Sequence, residues 1–234
     1  MSLVPRIKVC GVTSLDDATM AADLGAWAVG CILWPRSPRA CDPAEAARIV
    51  AGLRRRVEVV GVFVNAHLDE VAGMVDGVGF SIVQLHGDEG PAYCSEVARK
   101  TGAKVIKAAP IRLRSDIVAM EAFHTDFHLL DAYVEGQRGG TGTVFDWRLV
   151  NERRTRTPMI LSGGLNPENV GPAIAATEPF AVDSASGTEA SPGVKDPDRM
   201  QAFFDAVAAT APEPEPEPEP DPDAADATEE VPSS

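Results

Sequence analysis

Residues 158–187, PMILSGGLNPENVGPAIAATEPFAVDSASG, contain two short apolar runs separated by a helical pattern. The runs PMILS (158–162) and PFAVD (179–183) predict strands, and the stretch between them predicts a helix at about 167–176. A strand, a crossover helix and a second strand form a unit whose two strands are parallel. This stretch therefore predicts a parallel α/β fold.

The same alternation extends over the preceding 157 residues and to about residue 209. It predicts eight strand–helix units in about 210 residues. The predicted strands are 6–10, 26–33, 57–64, 81–85, 104–108, 127–131, 158–162 and 179–183. The predicted helices are 14–24, 43–54, 67–76, 91–100, 113–123, 146–150, 167–176 and 197–209.

Eight such units form either a closed (β/α)₈ TIM barrel or a doubly wound sheet. The turn after the first strand, CGVTSL (10–15), lacks the G-x-G-x-x-G of a doubly wound nucleotide fold. Polar side chains recur where predicted strands end, which is where barrels of this kind place their sites. These side chains are Cys10, Gln84, His86, Lys107, Asp131, Ser162 and Asp183. We therefore predict a single-domain barrel over residues 1–210.

Glycine and serine dominate the loops after strands seven and eight. Gly163 and Gly164 follow the seventh strand, and Asp183 ends the eighth before Ser184, Ala185, Ser186 and Gly187. Glycines let backbone N–H groups approach an anion, and these two loops form the recurrent phosphate site of the barrel. Two tight turns that need glycine are the alternative. We favour a phosphate site, and hence a substrate with a phosphate monoester.

Two strand ends carry candidate acid–base groups. Asp131 ends the sixth strand, where desolvation would suit it as a general acid, although a helix cap or an ion pair is equally consistent with its position. Cys10 ends the first strand, and Lys8 shares its face because strand side chains alternate. Lys8 would either favour a Cys10 thiolate or form a structural ion pair with Asp183.

The loop after the second strand, WPRSPRACDP (34–43), carries two arginines. Arg39 is a candidate for two-pronged binding of a substrate carboxylate, and Arg36 is its nearby competitor. A solvated loop arginine is the alternative interpretation of Arg39.

Charge is unevenly distributed along the chain. The net charge is −14, and residues 211–234 hold nine acidic residues and no basic one, so about −5 remains on residues 1–210. This segment, rich in Glu, Pro and Asp, predicts a disordered tail that either only solvates the chain or serves as an interaction tether. The mildly acidic body gives no sign of a nucleic-acid surface.

The four cysteines show no metal-ligand or disulfide spacing, and no apolar run is long enough for a membrane helix. We therefore expect a cytoplasmic protein with reduced thiols, without membrane or nucleic-acid partners. No apolar surface stripe is apparent, which favours a monomer.

The ordered set IKVCGVT, WPRSPRA, VGVFVN, VQLHGDE, LLDA, GGTGTVFDW, LSGGLNPENV and FAVDSASGTEASPGVKD spans about residues 7–196. It resembles the phosphoribosylanthranilate isomerases of tryptophan biosynthesis. The resemblance implies an Amadori rearrangement of a phosphosugar without cofactor or metal. It assigns Cys10 as general base, Asp131 as general acid and Arg39 as the ligand of the anthranilate carboxylate. It places substrate phosphate on Gly163, Gly164 and Ala185–Gly187.

Two positions depart from that family pattern. Ala185 stands where a serine is common, so a side-chain contact to phosphate is lost while backbone donors remain. Cys41 replaces an aliphatic residue and is predicted to pack. Alternatives are a histidine-pathway aminoaldose isomerase, which typically has an aspartate in place of Cys10, and a non-catalytic phosphosugar-binding barrel. The acid–base chemistry predicts a raised pKa for Asp131 and a lowered pKa for Cys10.

Overall fold

A computed structural model describes residues 4–131 and 147–211 of the chain. Eight parallel strands close into one barrel in sequence order, with the last strand paired to the first. The strands are β1 (Arg6–Cys10), β2 (Ala28–Ile32), β3 (Glu58–Phe63), β4 (Ile82–Leu85), β5 (Lys104–Pro110), β6 (Phe127–Asp131), β7 (Met159–Ser162) and β8 (Ala181–Ser184). The predicted TIM barrel is confirmed.

Helices return the chain from the carboxyl end of one strand to the amino end of the next. They are α1 (Leu15–Asp23), α2 (Pro43–Leu53), α3 (Leu68–Val78), α4 (Pro91–Thr101), α5 (Arg114–Met120), α6 (Val170–Thr177) and α7 (Pro197–Ala208). The sixth unit has a 3₁₀ helix, Trp147–Glu152, and a short hairpin of β9 (Glu189–Ser191) and β10 (Val194–Lys195) follows β8. The hairpin occupies a stretch that the sequence predicted as loop.

Local sequence signals explain where helices begin. The Ser14 hydroxyl accepts a hydrogen bond from the backbone N–H of Asp17, which caps α1. Asp42 caps α2 in the same way, and Pro43 occupies its first turn. Asp196 caps α7 by accepting from two backbone N–H groups. Apart from the elements between β8 and α7, each observed element boundary lies within three residues of its prediction.

Apolar side chains form two layers. The outer layer lies between the sheet and the helices and includes Val9, Ile49, Leu130 and Phe203. The inner layer fills the barrel with residues such as Val60, Ile106 and Ile160, and Cys10 belongs to it. All four cysteines are buried free thiols, and Cys41 packs as predicted. The predicted tail lies outside the described residues from Pro212 onward.

Candidate active site

A cavity of about 700 Å³ opens at the carboxyl ends of the barrel strands. Eight of the ten predicted site residues line it, namely Cys10, Arg39, Asp131, Gly163, Gly164, Asp183, Ala185 and Ser186. Trp34, His86 and Ser162 also contribute to its wall. Lys8 does not line the cavity, and Gly187 lines a neighbouring cavity of about 480 Å³ together with Gly164 and Ser186. The strand-end positions therefore converge on one site.

Cys10 lies on the barrel wall above a buried ion pair. Lys8 is fully buried, and its Nζ donates to Oδ1 of Asp183 at 2.8 Å. Ser162 donates to the other carboxylate oxygen of Asp183 at 3.3 Å. Gly30 of β2 lies beside Cys10 in the sheet, and a Cβ there would be 3.0 Å from the Cys10 sulfur and 3.4 Å from Lys8 Nζ. The absence of a side chain at Gly30 therefore leaves room for both the Cys10 thiol and the Lys8 ammonium.

The pKa of Cys10 differs from the sequence expectation. Burial is the largest influence and raises the pKa of Cys10 above its ordinary value. The Lys8 and Lys195 charges lower this pKa, whereas the Asp183 charge raises it. The net direction is upward, so the predicted lowered pKa of Cys10 is wrong. The reason is that a buried thiol loses the solvation of its charged form, and Asp183 takes up part of the Lys8 charge. Lys8 thus forms the predicted ion pair with Asp183, and its charge opposes the rise in the pKa of Cys10.

Asp131 lies across the cavity wall on β6, with its side chain 28% exposed. Its Oδ2 is 3.8 Å from Nε2 of His86, and the Gln84 amide lies 2.8 Å from the other ring nitrogen of His86. Burial lowers the pKa of His86, although the Asp131 charge opposes this. His86 is therefore neutral near pH 7 and places an imidazole, not a second charge, beside Asp131.

The loops after β7 and β8 present unpaired backbone donors. Gly163 and Gly164 have φ angles of 111° and 65°, which L side chains rarely adopt. A Cβ on Gly187 would lie 2.0 Å from the carbonyl oxygen of Leu165, so only glycine fits there. Within residues 4–131 and 147–211, the N–H groups of Gly163, Gly164, Ser186 and Gly187 donate to no protein acceptor. Converging free donors of this kind suit an anion.

Arg39 reaches the cavity edge while holding a buried carboxylate. Its Nε and Nη2 donate to the two oxygens of Glu189 at 2.8 Å each. The two-pronged geometry was predicted for a substrate carboxylate, whereas in the structure it binds Glu189. Arg36 instead places its guanidinium 4.7 Å from the centre of the Trp34 ring and does not line the cavity.

Sequence reasoning missed the ammonium of Lys195, which lies fully buried on β10. It donates to the carbonyl oxygen of Cys10 at 2.7 Å and to that of Ala185 at 3.0 Å. Oε1 of Glu189 lies 3.4 Å away. Burial raises the pKa of Glu189, but the Arg39 hydrogen bond and the Lys195 charge together lower it by more. The net direction is therefore downward. In the sequence, the only signal for this ammonium was that Lys195 and Glu189 occur close together in the short stretch TEASPGVK (188–195).

A sequence model of the family described as "N-(5'phosphoribosyl)anthranilate (PRA) isomerase" matches residues 7–206. The chain belongs to this family. The N-(5'-phosphoribosyl)anthranilate isomerase of Citrifermentans bemidjiense is 44% identical over 196 residues, covering 84% of this chain and 93% of that protein. The resemblance stated from the motifs is confirmed, and the chain is an isomerase of tryptophan biosynthesis.

Solved isomerases share this barrel. The phosphoribosyl anthranilate isomerase of Thermotoga maritima is 38% identical, with a TM-score of 0.77 and coverage of 88% of this chain and 99% of that chain. Another solved isomerase, 37% identical with a TM-score of 0.74 and the same coverage, is in complex with reduced 1-(o-carboxyphenylamino)-1-deoxyribulose 5-phosphate.

Metal-ligand clusters and membrane-spanning helices are both absent from residues 4–131 and 147–211. Over that part, His, Cys, Asp and Glu side chains form no group of three or more that could hold a metal ion. Its helices are all too short or too polar to cross a membrane.

Proposed function

We propose that this isomerase converts N-(5-phospho-β-D-ribosyl)anthranilate to 1-(2-carboxyphenylamino)-1-deoxyribulose 5-phosphate, with Asp131 as general acid and Cys10 as general base. One observation carries the assignment: a thiol and a carboxyl group from different strands line one cavity, together with backbone N–H groups that have no acceptor among the described residues. The reaction moves protons between carbon, nitrogen and oxygen without net oxidation, so side-chain acid–base groups suffice.

The phosphate of the substrate would bind at the loops after β7 and β8. Four N–H groups there have no acceptor among the described residues, and they would bind the phosphate without the side-chain hydroxyl that is missing at Ala185. Ser184 is not available as a substitute, because its hydroxyl donates to the carbonyl oxygen of Leu165 at 2.8 Å. The phosphate thus anchors one end of the substrate and sets the ribose between β1 and β6.

Arg39 would bind the carboxylate at the other end of the substrate. Glu189 accepts hydrogen bonds from Nε and Nη2 of Arg39. The opposite edge of the guanidinium, which carries Nη1, would therefore bind the substrate carboxylate. The buried ion pair fixes the direction of this edge before the substrate arrives, which lowers the entropy lost on binding. The indole of Trp34 at the cavity wall offers an apolar face to the anthranilate ring.

The acid step starts from a protonated Asp131. Its proton passes to the ribose ring oxygen while the bond between that oxygen and C1 breaks, and the nitrogen lone pair forms the C1=N double bond of a Schiff-base cation. The adjacent neutral His86 adds no positive charge that would favour loss of this proton beforehand.

The base step uses the Cys10 sulfur. The thiolate removes the proton on C2, and the electron pair of that C–H bond forms the C1=C2 double bond while nitrogen becomes neutral. The enol at C2 then becomes the ketone as its O–H proton leaves and C1 takes up a proton. Burial raises the pKa of Cys10, and the positive charge of the Schiff-base cation beside the sulfur would help to form the thiolate, just as it acidifies C2.

The experiment is turnover of phosphoribosylanthranilate generated in situ, followed by the loss of its fluorescence. We expect conversion to the ribulose product, verified by mass and chromatography. A non-catalytic phosphosugar-binding barrel would retain the substrate unchanged, and an aminoaldose isomerase of the histidine pathway would convert only its own substrate. Either result would overturn the proposal.

The predicted monomeric state and cytoplasmic location remain proposals. A single sedimentation species at the chain mass of 24.7 kDa would support the monomer, and a species of twice that mass would contradict it.

A further inference from the structure

Seven arginines lie at the amino ends of the barrel strands, opposite the active site. Arg54–Arg56 precede β3, Arg153, Arg154 and Arg156 precede β7, and Arg6 opens β1 between them. Because the strands are parallel and ordered around the barrel, these positions fall on one arc of one face. We call this set the arginine face.

The first half of the arginine face surrounds a cavity of about 740 Å³. Arg6, Arg54, Arg55 and Arg56 line it, and Glu58 is the one carboxylate among its lining residues. The Arg6 guanidinium is 5.0 Å from the centre of the Phe180 ring and 5.9 Å from that of Trp27. A guanidinium held over two rings is oriented for a ligand and loses little freedom when it binds.

The second half surrounds a cavity of about 430 Å³. Arg153 and Arg156 line it, with Glu178 as its carboxylate. Phe180 lines this cavity too and contacts Arg6, so the two halves meet at that ring. Positive charge therefore continues from the start of β3 to the start of β7.

Most of this charge is unneutralised. Over residues 4–131 and 147–211, Arg54, Arg55, Arg154 and Arg156 are exposed and form no ion pair, whereas Arg56 pairs with Asp23. The Nε of Arg153 is buried without a hydrogen-bond partner in the same described part. The body carries about −5 overall, so an arc of arginines is a local reversal of its charge.

The last described residues before the acidic C-terminal segment pack against α6. Helix α7 follows β8 and runs back toward the amino ends of the strands. After it, Cγ2 of Thr210 lies 3.9 Å from the Cβ position of Gly171 on α6, and Ile174, one turn further along α6, lines the second cavity. The last described residues therefore lie beside α6, the helix whose Ile174 lines the second cavity.

The segment that leaves there has the complementary charge and enough length. Glutamate or aspartate occupies every second position from Glu213 to Asp223, and nine acidic residues occur by Glu230. Pro212–Ser234 is 23 residues, which reaches about 70 Å when extended at about 3.1 Å per residue. A barrel of this size is only about 40 Å across. The segment can therefore reach every arginine of the set.

We propose that residues 212–234 bind the arginine face of their own barrel. Tethering gives the segment a local concentration of about millimolar order, so many weak Arg–carboxylate contacts suffice. Alternating proline keeps the acidic side chains spread along the face and restricts the freedom lost on binding. A second copy or a separate polyanion would meet the same arginines only in competition with this segment.

The test places a nitroxide spin label on the acidic segment of the full chain through Ala225→Cys, since the four native cysteines are buried. Unmodified chain treated with the same reagent is the labelling control. At low salt, amide signals at the starts of β1, β3 and β7 should broaden most, and the broadening should disappear at about 0.5 M salt because screening weakens exposed ion pairs.

Two matched variants assign the contact. Replacing Arg54, Arg55 and Arg156 with Gln should abolish the broadening. Replacing Arg48, Arg99 and Arg112, which are also exposed but line neither cavity, should leave it unchanged. Equal effects of the two triple variants, or broadening spread evenly over the barrel, would overturn the proposal. Broadening in an equimolar mixture of spin-labelled chain and isotope-labelled chain without the spin label would also overturn it, because the contact would then join two copies.

Discussion

The two ends of this barrel hold their charges in opposite ways. At the active-site end, Lys8, Asp183, Glu189 and Lys195 are almost completely removed from solvent, and each has a partner within 3.4 Å. At the other end, guanidinium groups such as that of Arg54 are exposed and unpaired among the described residues. The buried ion pairs fix the positions of the active-site side chains, whereas the exposed guanidinium groups remain available to bind an anion.

The largest difference between the two ends should appear when a buried ammonium is removed. Lys195→Met deprives two backbone carbonyls of their donor and leaves Glu189 buried with less compensation. We expect a loss of about 3–5 kcal/mol in the free energy of unfolding, measured with urea. The control is Lys104→Met at the exposed start of β5, which should change it by less than about 0.5 kcal/mol. Similar losses in both variants would contradict the comparison.

A smaller effect is expected from one methyl group in the phosphate loop. Gly187→Ala would press a Cβ against the carbonyl oxygen of Leu165, so we expect a loss of about 1–3 kcal/mol and a KM raised more than kcat is lowered. The same change at Gly73 of α3 meets no atom within 4 Å and should stabilise the chain by about 0.5–1 kcal/mol. An unchanged KM in Gly187→Ala would remove the loop from substrate binding.

The electrostatic effect of Lys8 on Cys10 should be measurable without catalysis. Thiolate reacts with iodoacetamide, so the alkylation rate of Cys10 rises with pH until the thiol is ionised. Replacing Lys8 with Gln and Asp183 with Asn removes the larger, pKa-lowering charge and the smaller, pKa-raising one. The pKa of Cys10 should then rise, and alkylation near pH 8 should slow several-fold.

The matched control for that experiment is another buried pair. Lys107 and Glu89 are 2.8 Å apart and almost fully buried, and they do not contribute to the Cys10 pKa. Their Gln variants should leave alkylation of Cys10 unchanged, as read by peptide mass spectrometry. Faster alkylation in the Lys8 and Asp183 variant would contradict the assigned direction.

The smallest effect on stability belongs to the arginine face. Arg54→Gln and Arg156→Gln remove exposed guanidinium groups that pair with no described residue. Each should change the free energy of unfolding by less than about 0.5 kcal/mol in urea titrations. A loss comparable to that of Lys195→Met would show that these arginines hold the fold together.

The barrel and most residues of its cavity could be predicted, because strands, helices and turns are encoded by residues that are close in sequence. Strand ends carry Cys10 and Asp131, and once eight parallel strands close, all strand ends meet at one face. Gly163 and Gly164 were found by the same logic, and their positive φ angles supply the physical need for glycine.

What the sequence did not predict depends on contacts between distant residues. Lys195 meets the carbonyl oxygen of Cys10 across 185 positions, and no local pattern indicates that contact. The pKa of Cys10 follows from burial and from three charges on separate strands, so a motif could not give its direction. The arginine face combines residues at or just before the starts of β1, β3 and β7, which are far apart in sequence. Each segment alone is typical of solvated surface charge, and only closure of the barrel places all three at one end.

The most direct test of the central claim compares kcat of the unmodified chain with that of Cys10→Ser and Asp131→Asn. Cys94→Ser and Asp126→Asn serve as controls, since Cys94 and Asp126 do not line the active-site cavity. If Cys10 and Asp131 transfer the two protons, each variant loses at least about 100-fold in kcat while the controls remain near the unmodified rate. Near-normal turnover in Cys10→Ser or in Asp131→Asn would contradict the account.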